Sequence, residues 1–525
     1  MPQGRTFKPF PVNKFKGLNT SLDGSVPEEY AQDDQELASL VNFNTTTDGF
    51  LEKRTGIYRL TPAISSPYVP TKLRVVFLQR SRVGNLLNRI FVTDGTNMWR
   101  MNSGGGGIDR LTMGGGGALS YIQAMVEYGG TTSTSAYNCT GVRWWPTQDA
   151  TQMATGILGF YGDSTIDQSG PMTNTPIGTY IVLFKNRAFV INTMGKYNAS
   201  GYETKVWFSN PGNLADFGGA SMNNFNLDYG DGDYLTAMLS YNDQLLFFKT
   251  RKTYMVSADG PTNNWQYRLI SDRIGCVGRG TVKVINDIIY FLSVDGVVRT
   301  DGTTFENISD PIRDLLDVYR DYYRPETAMN LFAGYWDYKY ILFLPTNDSI
   351  TNTALVFDVR TENWTTWKFA GGVTANGAVE FEEHFPNSLY FGSSTGGDVW
   401  QLGQQVFADN SVNYECSLKT KKYDFGSAMK RKRNHLVGVS IGDVSSFQPG
   451  TIVVNNSSED AVVTTRTEIP QQGKALNVKS RGAGYGRYFQ TEVKHNSGAY
   501  VALYDITFMN EERHFEPKSV PARNS

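Results

Sequence analysis

The chain of 525 residues sets 49 Lys and Arg against 51 Asp and Glu, a formal net charge of −2, which leaves no basic excess for gripping duplex DNA by counterion release. Hydrophobic residues make up 40%, charged residues only 19%, and there are 53 Gly and 13% aromatics. This composition predicts an all-β chain with a large core, in two or three domains or as one repeat architecture with an appendage.

Residues 1–50 read as an N-terminal arm with first strands. The opening MPQGRTFKPFPVNKFKG is basic but lacks the apolar centre of a signal peptide, and no run approaches the ~18 apolar residues that span a bilayer, so the chain is expected to be made in the cytosol without a membrane span.

Residues 51–405 read as a β-propeller of about six or seven blades. A polar pair precedes a burst of strand formers at Asn88-Arg89, Asn186-Arg187, Asn242-Asp243, Asn286-Asp287, Tyr338-Lys339 and Asn387-Ser388. Between positions 186, 242, 286, 338 and 387 the steps are 56, 44, 52 and 49 residues, and the 98-residue step from 88 to 186 holds about two units. One four-stranded unit of this length cannot cover both its faces, whereas radial stacking covers them and shields the edges. Asp94-Gly95, Asp259-Gly260, Asp295-Gly296 and Asp301-Gly302 are predicted to form type I′ hairpin turns, with Trp99, Trp265 and Phe305 packing between blades. Ser309-Asp310-Pro311 reads as an N-cap and early proline opening a surface helix over 310–322, its apolar face made by Ile312, Leu315, Leu316 and Tyr319. From about 410 the repeat stops, and strand-like segments at 435–441, 451–454, 461–465 and 500–508 predict a C-terminal β-sandwich over 410–512, followed by a tail at 513–525.

The residues that could carry chemistry are few. Cys139, Cys276 and Cys416 share no metal or redox spacing and read as buried reduced thiols. His384, His435, His495 and His514 have no ligand spacing among them, and no Gly-x-Ser-x-Gly elbow presents a nucleophile. The runs Gly104–Gly107 and Gly114–Gly117 are followed by Ile108 and Ala118, not by the Lys-Ser/Thr of a phosphate loop, and read as loops or an inter-subunit contact. Asp228, Asp231 and Asp233 form an acidic turn that could hold calcium but reads better as a solvated turn. Adjacent Glu382 and Glu383 would point to opposite faces of a strand, which suits a glycosidase pair badly. Ser257 to Trp265 approaches a sialidase-type Asp box with Gly and Trp each displaced by one place, and reads as a hairpin turn. A basic cluster, Lys419, Lys421, Lys422, Lys430, Arg431, Lys432 and Arg433, reads as a solvated linker, a charge-matched contact with a partner protein, or a contact with DNA phosphate; the neutral chain favours the protein. No catalytic, cofactor or metal residue is assigned.

Several segments, in order, resemble the tail nozzle (hub) and tail tubular β-propeller proteins of short-tailed bacteriophages. They are Phe15-Lys16-Gly17-Leu18-Asn19-Thr20, Leu40-Val41-Asn42-Phe43, and Gly49-Phe50-Leu51-Glu52-Lys53-Arg54-Thr55-Gly56 at the start. Asn242–Lys249 with Thr253-Tyr254, Gly280–Val284 with Phe291–Gly296, and Ile308-Ser309 follow in the propeller. Val356-Phe357-Asp358 with Trp364 and Trp367, then Tyr390-Phe391-Gly392, match the last blade; Arg487-Tyr488-Phe489 and Ile506-Thr507-Phe508 match the C-terminal domain. The resemblance implies a non-enzymatic virion protein without cofactor, assembled in the host cytoplasm. It would be a homohexameric ring at the tail, whose inter-subunit channel passes viral DNA without specific binding, beside tail tube or adaptor proteins and tail fibres. The stretch from Gly104 to Gly117 has no counterpart in it. The alternatives are a carbohydrate-binding or glycosidase propeller, and a tail adaptor or minor tail protein.

Overall fold

The structure is a computed structural model, and it describes residues 7–21, 35–60, 74–79, 89–94, 98–102, 108–111, 126–130, 139–144, 156–161, 166–172, 176, 180–191, 203–212, 216–219, 222–318, 331–345, 351–381, 388–403, 406–425, 431–442, 450–469, 476–498 and 500–511. The chain is all-β and divides into two units.

One unit, residues 56–356 and 369–405, is a seven-bladed propeller. Blade one is formed by Arg74–Gln79, Arg89–Thr93, Met98–Asn102 and Ile108–Leu111, blade two by Val126–Gly130, Cys139–Trp144, Gly156–Tyr161 and Ile166–Met172, and blade three by Tyr180–Phe184, Arg187–Ile191, Lys205–Phe208 and Asn224–Asn226. Blade four holds Leu235–Tyr241, Gln244–Lys249, Thr253–Ser257 and Gln266–Ser271; blade five holds Lys283–Ile285, Ile288–Ser293, Gly296–Thr300 and Phe305–Asn307. Blade six contributes Phe332–Trp336, Lys339–Leu344 and Thr353–Asp358, and the chain leaves this unit within the last of these. Blade seven is Asn376–Phe381, Ser388–Gly392 and Val399–Leu402, completed by Ile57–Arg59 from the other end of the propeller segment. That borrowed strand closes the ring, with Leu60 N–H donating to Val399 O at 2.9 Å.

In blades three to six the repeated sequence marker falls at the turn between the first and second strand. Both turn residues have positive φ at Lys185-Asn186 (43° and 62°), Asn242-Asp243 (45° and 58°), Asn286-Asp287 (49° and 60°) and Asp337-Tyr338 (45° and 58°), the type I′ signature. The three Asp-Gly pairs among the described residues do not form that turn. In Asp259-Gly260, Asp295-Gly296 and Asp301-Gly302 only the glycine has positive φ (67°, 130° and 90°), and Gly95 lies outside the described residues.

After each of these type I′ turns the second strand carries at least four consecutive buried apolar residues, because both faces of a blade are covered. Leu245 and Phe247 pack with Phe189, Val206 and Phe208 of blade three, while Leu246 and Phe248 pack with Ile289, Phe291 and Val298 of blade five. Trp99 joins Val75, Ile90 and Val92 to Tyr390 and Val399 across the ring closure. Trp265 lies 4.6 Å from Phe208 between blades three and four, and Phe305 packs on the core between blades four and five.

The expected helix at 310–322 is shorter: a 3₁₀ turn Asp310–Ile312 runs into one helical turn, Arg313–Asp317, and Tyr319 to Tyr322 lie outside the described residues. Ser309 does not cap it. Its Oγ accepts the Val297 N–H at 2.9 Å and donates to Asn307 Oδ1 at 2.8 Å, so the hydroxyl is committed to blade five.

The other unit, residues 1–55, 357–368 and 406–525, contains the C-terminal sandwich. One sheet is built from Phe7–Asn13, Phe43–Thr45, Leu51–Lys53, Lys432–Gly442, Leu476–Gly486 and Ala502–Glu511. The second orders Asn363–Lys368, Leu37–Val41, Glu415–Thr420, Phe489–Asn496, Gly450–Ser458 and Val462–Ile469. Alternate residues turn inward: Val437, Val439, Ile441, Ile506 and Phe508 of the first and Cys416, Leu418, Ile452, Val454 and Val493 of the second are buried. Asn456 Nδ2 donates to Ser480 Oγ at 2.7 Å, joining the sheets. The N-terminal segment is therefore a structural part of the sandwich and no separate arm. Residues 51–55, expected in the propeller, belong here because Leu51 pairs with Leu503.

Candidate functional site

The Lys53-Arg54-Thr55 segment brings two buried charged side chains into the sandwich unit. Arg54 and Asp409 are both fully buried, with Nη1 to Oδ1 at 2.9 Å and Nη2 to Oδ2 at 2.5 Å. The remaining donors reach Asn42 Oδ1 at 2.8 Å, Thr55 O at 2.9 Å and Lys368 O at 3.1 Å, so all five guanidinium N–H groups are used. The guanidinium also lies 3.9 Å from the Tyr414 ring centre, and Tyr414 Oη donates to Arg54 O. Burial by itself would lower the Arg54 pKa, but the Asp409 carboxylate beside it raises the value above that of a free arginine. Lys53 donates Nζ to Ser497 O and lies 4.2 Å from the Tyr414 ring centre; burial brings it down to about 8. Burial pushes the Cys416 thiol up to about 12, so it stays protonated. Asn42, at φ 59°, receives the Arg54 and Lys368 donors on one oxygen and donates to Glu415 O at 2.7 Å. This arrangement holds strands together; it presents neither nucleophile nor base to solvent.

The acidic turn is neutralised from within blade four. Asp231 Oδ2 accepts Lys249 Nζ and Lys252 Nζ, each at 2.8 Å, and the Lys249 side chain is fully buried. Partial burial raises the Asp231 pKa, but the two lysine hydrogen bonds outweigh it and hold the carboxyl below its ordinary value. Asp228 accepts the Tyr254 hydroxyl at 2.6 Å, and Asp233 caps the turn through the Thr250 and Arg251 N–H groups. These contacts engage at least one carboxylate oxygen of each of the three aspartates. Among the described residues no group of three or more His, Cys, Asp or Glu is arranged to hold a metal.

The basic cluster does not form one patch. Lys421 and Lys432 are buried, which removes them from a contact surface; Lys432 Nζ donates to Asp424 O. Lys419 is exposed opposite Glu492, Lys422 is exposed, Arg431 pairs with Asp460, and Arg433 lies 5.3 Å from the Tyr485 ring centre. Lys430 lies outside the described residues. Alternation of a strand separates only Lys432 from Arg433, neighbours on Lys432–Gly442 whose side chains point to opposite faces, whereas Lys421 is buried just beyond the end of Glu415–Thr420.

Glu382, Glu383, His384, His514 and both glycine runs lie outside the described residues, although Ile108–Leu111 between the runs is the fourth strand of blade one. His435 meets Glu511 at 2.7 Å and His495 meets the Ser497 hydroxyl at 2.9 Å. The Ser257–Trp265 stretch is a turn whose Trp265 Nε1 donates to Gly260 O at 3.3 Å. Cys276 is buried and its thiol is pushed up to about 12 by burial.

Two features had no signal in the sequence. On the first strands of blades five and seven, Lys283 pairs with Glu380 at 2.5 Å, and Glu380 Oε1 also accepts the Tyr335 N–H of blade six at 3.1 Å. Arg279, ahead of blade five, lies 5.4 Å from the ring centre of Tyr180 in blade three. Burial, joined by the charge of Arg74 in blade one, brings Arg279 down to about 9. Only ring closure places these residues together.

No family model matches the chain, and no curated protein matches it. Among solved structures, an exo-β-1,3-galactanase from Phanerochaete chrysosporium is similar at 10% identity, over 76% of this chain and 98% of that chain, with a TM-score of 0.24. The WD40 domain of Neurospora crassa Pan2 is similar at 8% identity, over 69% and 89%, with a TM-score of 0.27. Apo AztD from Citrobacter koseri is similar at 12% identity, over 67% and 90%, with a TM-score of 0.29. Likenesses of this size carry no argument about function, and the propeller assignment stands on strand order and ring closure.

Proposed function

We propose that this chain is a structural tail protein of a short-tailed bacteriophage, of the nozzle type, which joins copies of itself in a six-membered ring around the exit path of viral DNA. The observation that carries the reading is the nature of the residues behind the resemblance. Arg54 of the Lys-Arg-x-Gly turn is a buried clamp, Trp364 and Trp367 are buried, and Gly17 lies where a Cβ would come 2.8 Å from Asn363 Cβ. These are scaffold roles, as expected of a family defined by assembly. A net charge of −2 also suits a conduit, which must pass DNA without gripping it.

Immunogold electron microscopy of particles from the source lysate tests this. Label confined to the distal end of a short tail supports the nozzle reading, and label higher on the tail moves the protein to an adaptor or minor tail position. Label absent from particles, together with release of sugar from host polysaccharide by the free protein, overturns it in favour of a carbohydrate-acting propeller.

A further inference from the structure

Among the described residues the strand Phe7–Asn13 is held along one edge only, in antiparallel register with the last strand from Phe7 opposite Glu511 to Asn13 opposite Asp505. Its seat is specific: Val12 is buried, and the Phe10 ring lies 5.2 Å from Tyr423 and 5.1 Å from Phe425. Pro9 and Pro11 bring no N–H to the ladder, and proline is tolerated where that donor would face away from the partner strand. The outer edge is thus poor in donors and resists addition of a further strand.

The strand ends abruptly. Lys14 is in the left-handed region at φ 56°, and Gly49 presses on it, since a Cβ there would come 2.6 Å from Lys14 Cα. Immediately beyond, Phe15 and Leu18 are buried and the Phe15 N–H donates to Gly49 O at 2.7 Å. A seven-residue strand is therefore joined through one strained, non-glycine residue to a segment anchored in its own unit. A short strained hinge of this kind favours exchange, because every strand contact is reproduced in a neighbouring copy while the hinge can relax.

We infer that Phe7–Asn13 is exchanged between subunits, each strand completing the sheet of the next copy. The occupant is a second copy of this chain, because the seat matches this sequence over seven paired residues. Head-to-tail exchange of this type closes into a ring when the rotation permits. The inference rests on the proposed function only for the existence of a ring.

The test is a cysteine pair at the solvent-facing end of the ladder, Asn13→Cys with Asp505→Cys, in the full chain assembled into particles and then oxidised. The expected result is a ladder of covalent multimers on a non-reducing gel, collapsing on reduction and absent from either single variant. Mixing the two single variants before assembly should yield covalent dimers. Assembled rings with only intrachain crosslinks, or with none, overturn the exchange and leave the ring reading intact. A protein that forms no multi-subunit particle alone or on the tail overturns both.

Discussion

Arg54 and Asp409 form a bidentate, fully buried ion pair just before the chain enters the propeller unit at Gly56 and just after it leaves at Gln405. The pair ties the incoming and outgoing chain to one point of the sandwich unit. Asp409→Ala strands an uncompensated guanidinium and should destabilise that unit by roughly 3–5 kcal/mol. Arg54→Lys should lose most of that as well, because an ammonium cannot reproduce five donors in a planar fork. Replacing both residues with leucine should cost less than either single change, as read by urea denaturation of the three variants.

Lys53 should make stability rise with pH. Its folded value of about 8 lies below its ordinary 10.5, so between these values the unfolded chain binds the extra proton. The destabilisation is therefore full below about pH 8 and fades as the pH climbs towards 10.5. The difference corresponds to about 3 kcal/mol. Lys53→Met should be more stable than the parent at pH 7, with the two curves converging near pH 10.5; a constant gap would show that packing, not charge, sets the difference.

Glycines at three blade junctions should not tolerate a side chain. A Cβ on Gly275 would come 2.1 Å from Lys249 O, on Gly280 2.5 Å from Leu331 O, and on Gly377, which also has φ 68°, 2.4 Å from Val75 O. In each case the obstacle is backbone of the neighbouring blade or its connection, which cannot swing aside. Alanine at any of the three should lower stability by about 1–3 kcal/mol, the scale of overpacking. Gly396→Ala is the control, since its nearest neighbour is a side chain at 3.7 Å and its φ is unexceptional. Thermal melts of the four variants check the contrast.

Thiol labelling should be slow. Cys276 and Cys416 are buried with thiols pushed up to about 12, and the thiolate is the reactive form. At most one of the three cysteines in the chain should react with an aromatic disulfide reagent at pH 8 before denaturant is added.

The sequence by itself determined the repeat, because blades three to six write the same local grammar: a turn whose residues take positive φ, then a strand with apolar residues on both faces. It determined the change of texture near 410, where the blade-like spacing stops, and it marked Trp99, Trp265 and Phe305 as packing residues. Local rules misassigned Ser309 and the Asp-Gly pairs at 259–260, 295–296 and 301–302, since neither the Ser309–Val297 bond nor the register of the flanking strands is visible along the chain. Only the tertiary structure decided that Ile57–Arg59 completes blade seven, that Phe7–Asn13, Leu37–Val41, Phe43–Thr45 and Leu51–Lys53 build the sandwich, and that Arg54 finds Asp409. It also decided that the basic run divides between buried and exposed faces and that the acidic turn is answered by Lys249 and Lys252. The physical reason is common to all of these: each depends on a partner supplied by a distant strand or turn, and pairing across a sheet or around a closed ring leaves no periodic mark in either segment.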